Sequence, residues 1–413
     1  MKTRIKQIIK YEKNVKSFVE GTFDSKRVLQ DIFQLKSVKE NKLPLKNMLL
    51  GVKDIINVDG HPTKCGSNLP EKLFEGKQAS CVSRLLKAGA ILTGKTVTAE
   101  FAISDPGETR NPRNLEHSPG GSSSGSAATV AAGFCDIAIG TQTSGSVIRP
   151  AGYCGVVGYK PSFGRIDIDG VIPFSKSMDH IGLFTKDLET LELVTPIIVN
   201  HWNTQKINSN KNLVLGIPDG DYLNLAKKDV LNQFDESTQK LENQFLFKRI
   251  KLVQNISKIN HDLDQIILAE LYRVHSKWYN EFRELYKPLS RKNIEIGKTI
   301  SDKNLEVLLK KAKNFQFKIQ EFFKDHNIDV WIAPVAPNLA PKGLQSTGDY
   351  SMNSIWSYTG LPVITIPTGV NNKNLPYSIQ IVGEFGKDED LLFISKCIEK
   401  IIGEKNLLNQ WDL

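Results

Sequence analysis

A chain of 413 residues, 40% hydrophobic and 24% charged, has the balance of an ordinary globular protein and the length for one large domain or two smaller ones. It holds no run of about 18 apolar residues, so no transmembrane helix is expected. The opening "MKTRIKQIIKYEKNVKSF" lacks the continuous apolar segment and small-residue cleavage site of a signal peptide. The net charge of +9 comes from lysines mixed with acids, as in Ser37–Lys42, with no nucleic-acid motif beside them. That pattern fits a solvated basic surface rather than a nucleic-acid face.

Residues 1–42 are Lys-rich and read as helical. "MLLGVKDIINVDG" (48–60) reads as a strand and a turn. "ASCVSRLLKAG" (79–89) is an amphipathic helix stopped by Gly89, and "AILTG" (90–94) a short buried strand. Residues 105–126, rich in Pro, Gly, Ser and Asn, form a loop. "SAATVAAG" (126–133) is a helix of small residues and "CDIAIGT" (135–141) a buried strand. From 200 to 328 the chain is Lys/Asn-rich and helical, with one strand at "LVLGIP" (213–218). "DVWIAPVAP" (329–337), "LPVITIPTG" (361–369) and "YSIQIVG" (377–383) are strands, and "KDEDLLFISKCIEKII" (387–402) is a closing amphipathic helix. Short apolar strands alternating with helices predict an α/β sheet covered on both faces. The cysteines (Cys65, Cys81, Cys135, Cys154, Cys397) are scattered, odd in number and without CxxC, as expected of reduced, mostly buried thiols in a cytoplasmic protein.

"GAILTGKT" (89–96) has the letters of a phosphate-binding loop. Such a loop runs from a strand through glycines into a helix, so that the helix N-terminus meets the phosphates. Here the order is inverted, because the first Gly ends a helix and the residues between the glycines form the strand. Lys95 and Thr96 are then expected past the strand end, with Lys95 dispensable and no nucleotide bound.

The chemistry concentrates in "SPGGSSSGSAATVAAGFCDIAIGTQTSGSVIRPAGYCGVVGYKPSFGR" (118–165). Gly121–Gly125 is formally a G-x-S-x-G elbow, but no strand precedes it, which argues against Ser123 as a nucleophile. "IAIGTQTSGSVIRPA" is better placed: a strand, a run of small residues, then the start of a helix. Small residues let successive backbone N–H groups converge beside Ser146, as an oxyanion hole requires. A serine nucleophile also needs a base. His117 and His180 are the nearest histidines and read as ordinary polar residues. A lysine serves if burial lowers its pKa from about 10.4 towards neutrality, and Lys53 lies between apolar residues at a strand end in "LLGVKDIIN".

Lys53, the "SPGGSSSGSAA" loop and "GTQTSGSVIRPAGYCGVVGYKPSFGR" together resemble the amidase signature family, whose members use a Ser–cisSer–Lys triad. Lys53 and Ser122 are 69 residues apart, and Ser122 and Ser146 are 24 apart, as the family requires. "DVWIAPVAPNLAP", "YTGLPVITIPTGVNNKNLPYSIQIVG" and "DEDLLF" resemble its last strands and closing helix. The likeness runs from about residue 45 to 400, interrupted around 200–325.

The resemblance implies a single α/β amidase domain over 1–413. Its parts are N-terminal helices (1–42), a catalytic core (45–190), a divergent helical region (200–325) and C-terminal strands and helix (329–413) that complete a central mixed sheet. It implies that Ser146 is the acyl-enzyme nucleophile and that Ser122, after a cis bond to Gly121, links it to Lys53. The N–H groups of Thr143, Ser144, Gly145 and Ser146 would hold the oxyanion.

The sequence departs from the more usual G-T/S-D-x-G-G-S-I-R-x-P-A. Gln142 replaces the Asp, Ser144 replaces the first Gly, and Arg149 sits one place later; the loop Phe101–Asn111 is short for the family. The expected activity is hydrolysis of a small carboxamide or urea-like substrate, without metal or cofactor and without membrane attachment. The alternatives are the glutaminase subunit of a tRNA-dependent amidotransferase, which alone would imply a nucleic-acid partner, and an inactive binding protein of the same fold. A homodimer is compatible with the sequence. Residues 200–325 and 344–358 are the expected pocket wall, with no substrate-binding residue assigned.

Overall fold

A computed structural model describes residues 1–35, 43–103, 105–203 and 212–404. Ser37–Lys42, the end of the N-terminal helical stretch, lies outside the described residues. Two amphipathic helices open the chain, α1 (Lys2–Val15) and α2 (Ser25–Leu35), burying Ile5, Ile8, Val15, Val28 and Ile32. The next stretch holds β1 (Leu49–Lys53), α3 (Ser80–Lys87), β2 (Ile91–Thr96), α4 (Ser124–Ala131), β3 (Ile137–Gln142), α5 (Ile148–Cys154), β4 (Val157–Lys160), β5 (His180–Thr185) and α6 (Leu188–Ile198). Next come β6 (Val214–Pro218), α7 (Lys228–Leu241) and β7 (Leu246–Ile250). The long helical insertion is α8 (Ile256–Phe282), α9 (Pro288–Lys298) and α10 (Asp302–Asp325). The chain closes with β8 (Val330–Pro334), α11 (Ser351–Tyr358), β9 (Val363–Val370), β10 (Pro376–Val382) and α12 (Asp388–Ile402).

The strands form one ten-stranded mixed sheet in the order β2-β1-β3-β5-β4-β9-β10-β8-β6-β7. Its flanks are parallel, β2/β1/β3 and β8/β6/β7, and its centre is antiparallel. Every residue of β1, β2 and β3 is buried, which explains why these strands read as apolar runs rather than alternating ones. Helix α4 is buried along its whole length; its Ser, Gly and Ala side chains let it lie close to β3 and β1. Helix α12 carries Asp388, Glu389 and Asp390 in its first turn and Lys400 in its last, complementing the helix dipole.

Four strands differ from the sequence reading: β4 and β5 lie in a stretch to which it assigned no element, and β7 and β2 depart from it as follows. β7 is a second strand within the helical stretch. It is a largely exposed edge strand bearing Lys248 and Arg249, so it carries no apolar pattern. β2 also runs two residues further than expected, through Lys95 and Thr96, which pair with Val52 and Lys53 of β1. The Lys95 side chain is fully buried. Its Nζ lies 2.9 Å from Asp54 Oδ1 and donates to Thr63 Oγ1 at 3.0 Å. Lys95 is therefore structural rather than dispensable. The inversion of the phosphate-loop letters holds: α3 ends before Gly89, whose φ of +97° turns the chain into β2. No helix of the described residues is long and apolar enough to cross a membrane.

Candidate active site

The parallel flank brings three sequence-distant segments to one edge. β1 ends at Lys53, β3 ends at Gln142, and α4 begins just after Ser122 and Ser123. The Gly121–Ser122 peptide bond is cis. Lys53 Nζ donates to Ser122 Oγ and to Thr141 Oγ1, both at 2.8 Å, with a longer contact of 3.4 Å to the Thr141 carbonyl oxygen. Lys53 is 0% exposed, Ser122 1% and Ser146 7%. Solvent access thus rises from the lysine outward to Ser146. Burial holds the Lys53 ammonium well below its ordinary pKa, opposed by the carboxylate of Asp179.

Ser146 lies on the turn between β3 and α5. The N–H groups of Thr143, Ser144, Gly145 and Ser146 donate to no acceptor among the described residues. The carbonyls beside them are taken: Ser144 accepts from Gln142 Nε2 (3.1 Å) and Ser357 Oγ (2.5 Å), and Gly145 accepts from Arg149 N. Gly145 is held close, since a Cβ there would stand 2.7 Å from Asn353 Oδ1 and 2.8 Å from Tyr350 Cβ. Gln142 Oε1 accepts from the N–H groups of Val147 and Ile148, capping the start of α5. Gln142 therefore organises the turn from both ends of its amide.

Arg149 is buried. Its Nη2 donates to the Gly121 carbonyl at 2.7 Å and to Thr347 Oγ1 at 3.2 Å, and its guanidinium lies 5.6 Å from the Tyr350 ring centroid. Its Nε and Nη1 have no partner among the described residues. The elbow serine is otherwise engaged: Ser123 Oγ donates to the Thr141 carbonyl. The histidines are no better placed. His180 Nδ1 is tied to the Gln142 and Met178 carbonyls, burial holds it neutral, and neither it nor His117 hydrogen-bonds to the two serines or Lys53 among the described residues.

Residues that the sequence reading did not single out complete the surroundings; those from 264 to 270 and 350 to 357 fall in the two segments expected to form the pocket wall. Thr141 shares the Lys53 nitrogen. Asp179 accepts from Thr143 Oγ1 at 2.6 Å. Asn353 and Ser357 of α11 back the Ser146 turn. The helical insertion reaches the same region: α8 packs on α11, Tyr350 OH donates to Asp264, and Glu270 accepts from the hydroxyls of Ser175 and Ser177. An acid immediately before the apolar strand "HIGLFT" is the one available sequence signal for Asp179.

A family model described as Amidase matches residues 1–392. The chain is similar to a glutamyl-tRNA(Gln) amidotransferase subunit from Lachnospira eligens, at 28% identity over 98% of this chain and 94% of that protein. The like-named protein from Sulfolobus acidocaldarius is 30% identical over 97% of this chain and 94% of its own length. Among solved structures, a crystal structure of an amidase superposes with a TM-score of 0.86 at 25% identity, covering 97% of this chain and 95% of that one.

Proposed function

The chain belongs to the amidase family, and on that premise we propose that it hydrolyses the C–N bond of a small carboxamide through an acyl-enzyme on Ser146. The observation that carries this reading is the 2.8 Å contact between Lys53 Nζ and Ser122 Oγ in a place closed to water. A neutral amine has two N–H groups and one lone pair. Three oxygens surround Nζ, so the Thr141 oxygens suit the two N–H groups and the Ser122 hydroxyl can turn its proton to the lone pair.

In acylation, the Ser146 Oγ–C bond forms as its proton passes to Ser122 and the Ser122 proton passes to Lys53. The carbonyl π pair moves to oxygen, where the free N–H groups of residues 143–146 receive it. On collapse the C–N bond breaks, and the leaving nitrogen takes the proton back from Lys53 through Ser122. Water then attacks the ester with the same relay and releases the acid and Ser146.

The two unpartnered nitrogens of Arg149, three residues from the nucleophile, support a substrate whose acyl side carries an anionic group such as a carboxylate. The second reading, the glutaminase subunit of an amidotransferase, is favoured by the names of the relatives, and glutamine also carries a carboxylate. The test is ammonia release by the purified chain from paired amides with and without a carboxylate, glutamine included, for wild type and Arg149→Met. The proposal expects turnover by the chain alone, and a preference of at least about tenfold for carboxylate-bearing amides that Arg149→Met removes. Turnover of glutamine only after partner subunits are added selects the second reading.

A further inference from the structure

We propose that Asp179 is a positioning residue of this site, fixing Thr143 on one side and supplying the negative charge against which the Lys53 ammonium forms on the other. The proposal rests on the reading of Lys53 as the base.

The sheet register brings these groups together. β3 and β5 are antiparallel with Gln142 opposite His180, so one step outward Thr143 faces Asp179. The Asp179 carboxylate is buried. Its Oδ1 accepts from Thr143 Oγ1 at 2.6 Å, and its Oδ2 accepts from the N–H groups of Phe174 at 2.8 Å and Ser175 at 3.0 Å. No lysine or arginine forms a salt bridge with it among the described residues. A buried carboxylate without an ion pair is costly to keep and calls for a reason. The reason lies two residues back on the same strand end, where Lys53 Nζ is bonded to Thr141.

Burial pushes the Asp179 carboxyl up to about 6, with its three hydrogen bonds and Lys53 pulling the other way. Its charge in turn is the one that favours the Lys53 ammonium. Two other titratable groups face this loop. Glu270 of α8 is bonded to Ser175 and Ser177, and His180 is held neutral with Nδ1 on backbone carbonyls.

The chemistry needs such a charge at one moment. When the Ser146 proton has reached Lys53 through Ser122, a cation stands at a fully buried position, and an amine that burial has made too weak a base cannot take that proton. A fixed carboxylate restores its basicity and neutralises the ammonium, in acylation and again when water attacks the ester.

The test is kcat/KM and kcat against pH for wild type, Asp179→Asn and Thr143→Val, with Ser146→Ala alongside. Asp179→Asn is nearly isosteric. Its Oδ1 can accept from Phe174 and Ser175 while the Thr143 hydroxyl rotates to accept from Nδ2. Removing the charge lowers the Lys53 pKa further, so the acid limb moves to lower pH and plateau kcat falls by at least about tenfold, with KM little changed. Thr143→Val removes one of the bonds that hold the Asp179 carboxyl down without removing the carboxylate itself, so it slows turnover and moves the limb by less than Asp179→Asn does. Asp179→Ser, an acceptor without charge, gives the same shift should the Asn variant not fold. An acid limb unmoved in the uncharged variants, or moved equally by Thr143→Val, overturns the role given to Asp179. Full activity in Ser146→Ala overturns the hydrolytic reading itself and this proposal with it.

Discussion

Gln142 and Ser357 close a triangle on the Ser144 carbonyl: both donate to it, and Gln142 Nε2 also donates to Ser357 Oγ at 3.0 Å. In a trans peptide the N–H points opposite to the C=O. Pinning the Ser144 oxygen inward therefore turns the Gly145 N–H the other way, away from Gln142 and Ser357. Gln142→Ala removes this clasp and also strands the N–H groups of Val147 and Ile148. Each unpaired buried donor costs about 1–3 kcal/mol. Urea unfolding should show a loss in that range or above, together with a lower kcat. Unchanged stability means that water or the backbone replaces the glutamine without cost.

Lys53 must be neutral to act as a base, and burial keeps its pKa well below the ordinary lysine value. Activity should fall as pH drops and the amine gains its proton, and hold on the alkaline side. Lys53→Arg should lose about 10²–10⁴-fold in kcat, because guanidinium does not release its proton in this range. The same depression bears on stability. Between the folded and unfolded pKa values of Lys53 the unfolded chain binds more protons, so stability rises with pH there. Lys53→Met should flatten that slope. A Lys53→Arg enzyme with normal turnover and an unchanged pH profile eliminates the lysine as base.

Lys95 and Asp54 form a buried pair at 2.9 Å. Removing one partner of such a pair leaves an uncompensated buried charge and costs about 3–5 kcal/mol. Lys95→Ala should lose that much by denaturant unfolding. Because this lysine is already bound within the protein and lies in a strand that does not run directly into an α-helix, millimolar ATP or GTP should leave the melting temperature unchanged. A nucleotide-dependent thermal shift shows instead that the phosphate-loop letters have function.

Legibility in the sequence follows how local each signal is. Lys53 can be read because a lysine between Leu50, Val52, Ile55 and Ile56 has no solvated position to occupy. The small-residue runs can be read because backbone N–H groups converge only where side chains do not intervene. β7 cannot, because an exposed edge strand of Phe247, Lys248 and Arg249 has no buried face to impose alternation. The local pattern puts Lys95 outside its strand because Gly94 and a charged residue look like a strand end. Only the facing Asp54 makes burial of that ammonium tolerable. Asp179 and Ser357 depend on contacts with residues 36 and 213 positions away, which no local pattern specifies.

The account stands most directly on whether Ser146 is acylated. A fluorophosphonate or a slowly hydrolysed amide, followed by peptide mass mapping, should add mass to the peptide that carries Ser146. The label should vanish in Ser146→Ala and form slowly in Ser122→Ala and Lys53→Arg. Label on Ser123, or label that persists in Ser146→Ala, contradicts the account.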